Sequence, residues 1–158
     1  MISGKLTSLI GKSGDTVIME MEKGAIRKYA DAIDDRNPLY WDDDYARDSS
    51  YGGIVAPPGF FGWPIIWTAV NPTFYPLRGA IADLVAEEGY ERILDGGIEY
   101  DFLRPVRVGD ILAGIPSIKG FTERETKGGK MILSVIEFTY TNQNGQVVAR
   151  ARQTLIHR

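Results

Sequence analysis

The C-terminal third of the chain consists of three β-rich segments separated by glycine turns, and this pattern constrains the fold more than any other feature. Gly128-Gly129 and Asn144-Gly145 are strong signals for short hairpins, because such turns need residues that tolerate positive φ. The segments predict antiparallel strands at 111–126, 130–141 and 146–156. Apolar residues occupy both alternating sets of positions in 131–140, which predicts a strand covered on two faces for part of its length.

Shorter elements are predicted upstream of these strands. The stretch TVIMEME predicts a short strand, and the apolar spacing that follows predicts a helix at 23–32 that ends near Asp34. A second short helix is predicted at 42–49, with Asp42 as its N-cap and further acids in the first turn, where the helix dipole favours them. We therefore interpret the acidic run 42–44 as a cap and first turn, and we predict no metal site.

The stretch 54–75 is the most apolar and aromatic part of the chain. It predicts a buried helix at 59–70, distorted at Pro64, but it is too short and too broken by proline to span a bilayer. A further helix or part of a lid is predicted at 77–88, followed by a strand and a turn near 108–110. This order predicts one α+β domain, 1–158, in which an antiparallel sheet wraps around a central hydrophobic helix, the hot-dog fold. An exposed sheet edge predicts dimerisation.

Composition excludes several functional classes. A net charge of -3 gives no general attraction to phosphate backbones or anionic lipid, so no nucleic-acid partner is expected. The absence of cysteine excludes disulfides, thiolate zinc sites and cysteine nucleophiles. No uninterrupted apolar run of the kind found in secretory signals or membrane spans occurs, so we expect a cytoplasmic protein.

Two separated motifs resemble those of one enzyme family. The stretch DDRNPLYWDDDYARDSSYGGIVAPP resembles the hydratase motif of MaoC-like proteins, the R-specific enoyl-CoA hydratases and 3-hydroxyacyl-thioester dehydratases. FLRPVRVGDIL resembles the strand-turn-strand that follows their central helix. With the β-rich tail, the similarity covers most of the chain, and two motifs in the right order are more specific than one short pattern.

The resemblance implies a catalytic loop that lacks its proton carrier. In catalytic members the loop reads Gly-Asp-x-Asn-Pro-(Leu or Ile)-His, and the aspartate and histidine are the acid/base pair acting on an acyl thioester. Here the aspartate is Asp35, the Asn-Pro pair is Asn37 and Pro38, Tyr40 holds the histidine position, and Asp34 replaces the glycine. The wording is closer to the non-catalytic N-terminal hot-dog units of this family, which hold the acyl chain while a partner supplies the pair.

The catalytic candidates are Asp35, Tyr40 and Gly59. Histidine has an ordinary pKa of about 6.5 and tyrosine of about 10, so Tyr40 suits hydrogen bonding better than base chemistry at neutral pH. Asp35 could act as a base if burial raised its pKa, or it could simply form a turn. The resemblance implies that the Gly59 N–H holds the thioester oxygen, although a glycine after two prolines also fits an ordinary turn.

Further candidates would contact the ligand. Six aromatic residues lie within 60–75, more than one helix face buries, so some are expected to face a ligand or a partner although others fill the core. Two arginines that flank Pro105 could meet the phosphates of coenzyme A or a carrier arm, or be solvated. His157, the only histidine, is predicted to lie in a solvated tail. The substrate-binding candidates are Asn37, Trp41, Pro58, Phe60, Trp63, Trp67, Tyr75, Arg104 and Arg107.

The leading hypothesis is an acyl-thioester-binding subunit of an R-specific enoyl-CoA hydratase or 3-hydroxyacyl-thioester dehydratase, completed by a catalytic hot-dog partner. No cofactor is expected beyond the acyl-CoA or acyl-carrier thioester itself. Two alternatives stay open: a hot-dog acyl-CoA thioesterase in which Asp35 activates water, and a non-enzymatic acyl-CoA-binding module. Acyl chain length, the carrier, and homodimer or heterodimer also stay open.

Overall fold

The structure is a computed structural model that describes residues 2–60 and 74–158, and of 74–76 it describes the backbone alone. The predicted buried helix at 59–70 lies outside the described residues from position 61 onward, as do Trp63, Trp67 and the side chain of Tyr75. The elements, in chain order, are α1 (Gly4–Thr7), β1 (Val17–Glu20), α2 (Lys23–Ala32), a 3-10 turn (Pro38–Tyr40), α3 (Asp43–Asp48), α4 (Phe74–Glu87), β2 (Ile93–Phe102), β3 (Ile111–Thr126), β4 (Gly129–Thr141) and β5 (Val147–His157).

The five strands form one antiparallel sheet in the order β1-β3-β4-β5-β2. The predicted α+β class is confirmed, and the three C-terminal strands lie where the hairpin signals place them. Gly129 and Gly145 take positive φ values of 101° and 72° in the two turns, conformations that favour glycine. The strand register shifts in β2 between Asp95 and Gly97 and in β3 between Ile118 and Gly120, interruptions of the regular pairing that β-bulges produce.

The described helices carry apolar residues one turn apart. Helix α2 has the predicted bounds and buries Ile26 and Ala30. Helix α4 includes the predicted 77–88 helix nearly whole and buries Leu77, Ile81 and Val85, one residue per turn. Across residues 2–60 and 74–158, no helix combines the length and apolar character that crossing a membrane requires.

The predicted cap of α3 is confirmed. Asp42 Oδ1 accepts hydrogen bonds from the N–H groups of Asp44 and Tyr45, both at 3.0 Å. Asp43 and Asp44 form the acidic first turn. Within the described residues, no group of three histidine or acidic side chains is arranged to hold a metal ion.

The two faces of the sheet differ in chemistry. On the inner face, Ile136, Phe138 and Tyr140 of β4 are buried next to Ala149 and Ala151 of β5. The outer face carries a row of ion pairs: Arg152 Nη1 donates to Asp101 Oδ2 at 2.7 Å, and Lys119 Nζ lies 3.0 Å from Glu137 Oε1. The inner face of β4 is buried, whereas on the outer face Glu137 is buried and Met131, Leu133 and Val135 are only partly buried, so the predicted cover of the second face is found in part.

The prediction for His157 is wrong. It is the last residue of β5, and its side chain is fully buried. Its Nε2 lies 2.8 Å from Oγ of Ser134 on β4, also fully buried. The strand alternation that buries Ala151, Gln153 and Leu155 continues to position 157, so the histidine points into the core although it lies next to the last residue of the sequence.

Candidate functional site

The loop 35–42 is built by its own hydrogen bonds. Asp35 Oδ1 accepts from the N–H of Asn37 at 3.0 Å, and Asn37 Oδ1 accepts from the N–H of Leu39 at 3.1 Å. Asn37 thereby caps the 3-10 turn, in which Pro38 fills the first helical position. The indole N–H of Trp41 donates to the carbonyl of Asp35 at 2.9 Å and closes the loop. The side chains of Asp35 and Asn37, which occupy positions of the catalytic motif, therefore stabilise the backbone conformation of the loop.

Asp34 begins this loop in a left-handed conformation. Its φ is 53°, the only positive value among the described non-glycine residues. It follows the C-terminus of α2, where the N–H of Asp35 reaches back to the carbonyl of Ala30 at 2.9 Å. Glycine is the residue that takes this conformation without strain, which gives a physical reason for the glycine at this position in the MaoC-like motif.

Tyr40 lies at the inner side of the loop and is 7% exposed. Burial raises the pKa of its phenol above the ordinary value, and the charges of Asp35 and Tyr51 raise it further, against an opposing hydrogen bond from the Asn37 side chain. The phenol is therefore neutral across the physiological range. It can donate or accept a hydrogen bond but does not supply a base at neutral pH.

A cavity of about 400 Å³ lies beside Tyr40. Three chain segments form its wall: the loop at 37–40, the stretch 51–58, and the stretch 102–106 after β2. The second and third of these segments pair with each other, since the N–H of Ala56 donates to the carbonyl of Val106 at 2.8 Å. The wall is mostly apolar, with the polar groups of Asn37, Tyr40, Tyr51 and Arg104 at intervals, as expected of a site for a largely apolar ligand.

The two predicted arginines differ in their surroundings. Arg104 lies in the cavity wall, and its side chain has no hydrogen bond or ion pair with the described residues. Arg107 donates from Nε to the carbonyl of Tyr51 at 2.6 Å and so joins the two wall segments. Arg104 is the arginine available to a ligand at this cavity.

Gly59 follows the cavity wall segment and has a φ of 84°, so glycine is favoured there. None of the described backbone carbonyls accepts a hydrogen bond from its N–H. A Cβ built on Gly59 would lie 2.9 Å from the hydroxyl of Tyr29, so steric crowding also disfavours a side chain at this position. The predicted oxyanion role of Gly59 stays a prediction.

Among the predicted site residues, the structure brings Asn37, Tyr40, Pro58 and Arg104 together around the cavity. The other candidates within the described residues do not line it: Asp35, Trp41, Gly59, Phe60 and Arg107. The Asp35 carboxylate accepts from the N–H of Asn37 within the loop. The guanidinium carbon of Arg36 lies 5.9 Å from the centroid of the Trp41 ring, and Phe60 is buried in the core.

Sequence reasoning missed other residues in or next to the wall: Tyr29, Leu39, Tyr51, Phe102 and Leu103. Tyr29 lies within the predicted helix at 23–32, and the local apolar spacing that predicts this helix gives no sign of a neighbour thirty positions away. Phe102 and Leu103 precede Arg104-Pro105 in the quoted motif, and a stop of the strand before the proline is the signal that could have indicated them.

Comparison with known proteins gives consistent similarities. Residues 8–151 match the family described as "FAS1-like, dehydratase domain region". A "UPF0336 protein" of Streptomyces coelicolor is 30% identical over 129 residues, covering 81% of this chain and 79% of that protein. A "Probable enoyl-CoA hydratase alpha subunit" of Thermomonospora curvata is 29% identical over 136 residues, covering 83% of this chain but only 43% of that longer protein.

Solved structures share the fold. The ChsH1-ChsH2 complex from Mycobacterium tuberculosis superposes with a TM-score of 0.82 at 19% identity, covering 96% of this chain and 92% of that one. A structure described as "MaoC-like dehydratase" gives a TM-score of 0.76 at 24% identity, covering 96% of this chain and 43% of that one. The family match over residues 8–151 includes the loop at 35–42 and most of the sheet.

Proposed function

Because the chain belongs to the family described as "FAS1-like, dehydratase domain region" and shares the fold of a MaoC-like dehydratase, we propose that it is the acyl-thioester-binding subunit of an enoyl-thioester hydratase or 3-hydroxyacyl-thioester dehydratase. A second hot-dog subunit supplies the proton-transfer pair. The single observation that carries this proposal is Tyr40. A buried, neutral phenol stands in the cavity wall at the position where the family motif has its histidine.

Hydration of an enoyl thioester needs different groups for binding the substrate and for transferring protons. Adding water to an enoyl thioester requires a group that activates water and a group that protonates the α-carbon. The loop at 35–42 presents a phenol with a raised pKa and a carboxylate whose Oδ1 is engaged by the N–H of Asn37. The cavity, in contrast, has a mostly apolar wall and includes Arg104, whose side chain makes no ion pair with the described residues. This chain keeps what binding needs and lacks the histidine that the reaction uses.

A partner is supported by the free edge of the sheet. Within the described residues, β2 has a strand neighbour on one side only, β5. Its exposed edge is long, and Leu94, Phe102 and Leu103 nearby are about half exposed, at 48%, 48% and 50%. Phe102 and Leu103 also line the cavity, so a subunit docked along β2 would lie next to the bound acyl group. The relative named as an alpha subunit and the ChsH1-ChsH2 complex support such pairing.

The test uses the purified chain alone and together with a hot-dog partner whose loop carries an intact Asn-Pro-Leu-His. Hydration of crotonyl-CoA and longer enoyl-CoA esters is followed by loss of the enoyl-thioester absorbance. We expect binding of acyl-CoA by the chain alone, and hydration only when the partner is present. Asp35→Asn, which keeps an oxygen for the Asn37 N–H, should leave the partnered rate within about twofold, as should the exposed control Asp31→Asn.

Three outcomes would contradict the proposal. Hydration by the chain alone that Asp35→Asn abolishes would make this chain the catalyst. Release of free thiol from acyl-CoA, detected with a thiol reagent, would indicate a thioesterase. Binding of acyl-CoA without turnover in any partnered assay would indicate a non-enzymatic binding module.

A further inference from the structure

Two tyrosine hydroxyls converge on Gly59 from different elements. The Tyr29 hydroxyl, from α2, lies 2.9 Å from the point where a Cβ of residue 59 would stand. The Tyr100 hydroxyl, from β2, lies 3.9 Å from the same point. Any side chain at position 59 would collide with Tyr29, so the glycine and the phenol occupy one shared space beside the cavity wall.

The Tyr29 ring packs against another aromatic ring, whereas its hydroxyl makes only one long hydrogen bond. The ring packs edge-on against Phe60, with the ring centroids 5.6 Å apart at 78°. The hydroxyl donates to the carbonyl of Pro58 at 3.5 Å, at the outer limit of hydrogen bonding and longer than the usual 2.5–3.0 Å. Burial raises the pKa of this phenol, so it carries its proton throughout the physiological range. Because its hydrogen bond to the Pro58 carbonyl is long, the Tyr29 hydroxyl is available to donate to a closer acceptor on a ligand.

The cavity adjoins the Tyr29 hydroxyl through residues that line it. Pro58, whose carbonyl Tyr29 contacts, lines the cavity. The ring of Tyr100 stacks on Phe102, which also lines it, with centroids 5.3 Å apart at 12°. The Gly59 N–H has no partner among the described backbone carbonyls. Gly59 is therefore next in sequence to a lining residue, has an N–H without a described backbone partner, and lies close to the Tyr29 hydroxyl.

We propose that Tyr29 is a hydrogen-bond donor to the carbonyl oxygen of the bound thioester, acting beside the Gly59 N–H. The proposal rests on the proposed function, because it names how the same site recognises the thioester group. On binding, the hydroxyl rotates its proton from the Pro58 carbonyl to the ligand oxygen, and no heavy atom of Tyr29 has to move far. The phenol positions the carbonyl and takes no part in proton transfer.

The experiment compares two ligands that differ in the carbonyl. Calorimetry measures binding of octanoyl-CoA, a thioester, and of S-octyl-CoA, a thioether without the carbonyl, to the wild-type chain and to Tyr29→Phe. The variant keeps the ring against Phe60 and removes only the hydroxyl. Since a single hydrogen bond contributes about 1 kcal/mol, we expect octanoyl-CoA to bind about fivefold more weakly and S-octyl-CoA to bind within about twofold of wild type. Tyr45→Phe, on the exposed side of α3, is the matched control.

A second measurement reads the bond itself. The infrared carbonyl stretch of 13C-labelled octanoyl-CoA should fall on binding to the wild-type chain and fall less on binding to Tyr29→Phe. Equal weakening of both ligands in the variant, or no weakening of either, would overturn the role of Tyr29. Wild-type chain that binds neither ligand would overturn the proposed function and this inference together, an outcome distinct from a defect confined to Tyr29→Phe.

Discussion

His157 Nε2 and Ser134 Oγ share a hydrogen bond 2.8 Å long inside the core, where both side chains are fully buried. The other ring nitrogen, Nδ1, has no hydrogen-bond partner among the described residues. Burial lowers the pKa of His157 to about 4, and the charge of Arg78 acts in the same direction. The histidine is therefore held neutral by its surroundings.

This burial predicts a pH-dependent stability. Between about pH 6.5, the ordinary histidine pKa, and about pH 4, the unfolded chain binds a proton that the folded chain does not, so stability falls as the pH falls through this window. The full difference corresponds to about 3 kcal/mol. Urea unfolding of the wild type and His157→Gln from pH 7.5 to 4.5 measures it. Parallel curves for the two proteins would show that His157 titrates normally.

The left-handed residue Asp34 predicts a stabilising substitution. Asp34→Gly removes the strain of a positive φ at the cost of an exposed ion pair with Arg36 at 3.0 Å, which contributes little. We expect the free energy of unfolding to rise by up to about 1 kcal/mol, and to fall by about 1 kcal/mol in Asp34→Ala. Asp34→Asn, which tolerates the conformation, should stay near wild type. Chemical denaturation checks all three, and a stabilising alanine would refute the explanation.

A larger side chain in the cavity wall is expected to weaken ligand binding. Ala56 lines the cavity, and Ala56→Phe places a ring in a space of about 400 Å³. We expect acyl-CoA binding to weaken at least tenfold, because the acyl chain and the ring compete for one apolar volume. Ala86→Phe, at an exposed position of α4, is the control for adding a phenyl group. Undiminished binding in Ala56→Phe, measured by calorimetry, would place the ligand elsewhere.

The position of Arg104 in the cavity wall predicts that its positive charge contributes to the binding of acyl-CoA. Arg104→Gln should weaken the binding of octanoyl-CoA about fivefold at low ionic strength, as expected for one exposed charge pair worth about 1 kcal/mol, and less in added salt. The N-acetylcysteamine thioester of the same acid lacks the nucleotide phosphates and should bind equally to both proteins. Arg124→Gln, at the far end of β3, is the control. Equal loss for both thioesters would show that Arg104 acts through packing.

Local patterns in the sequence predict much of this fold and less of its site. Helix α2 and the C-terminal strands follow from apolar spacing and glycine turns, which act over a few residues. His157 was misassigned because a polar residue near a chain end usually faces water, and only the sheet register shows that it shares a face with Gln153 and Leu155. Tyr29 and Gly59 meet through packing of distant segments, which no local pattern encodes.

The loop at 35–42 is stabilised by hydrogen bonds between its own residues. Its outline depends on the oxygens of Asp35 and Asn37, on Pro38 and on the Trp41 indole. The hydroxyl of Tyr40 takes part in none of the three hydrogen bonds that the N–H groups of Asn37, Leu39 and Trp41 donate to hold the loop. Histidine and tyrosine codons differ by a single base. A change between histidine and tyrosine at position 40 therefore requires one base substitution and leaves the donors and acceptors of those three hydrogen bonds in place.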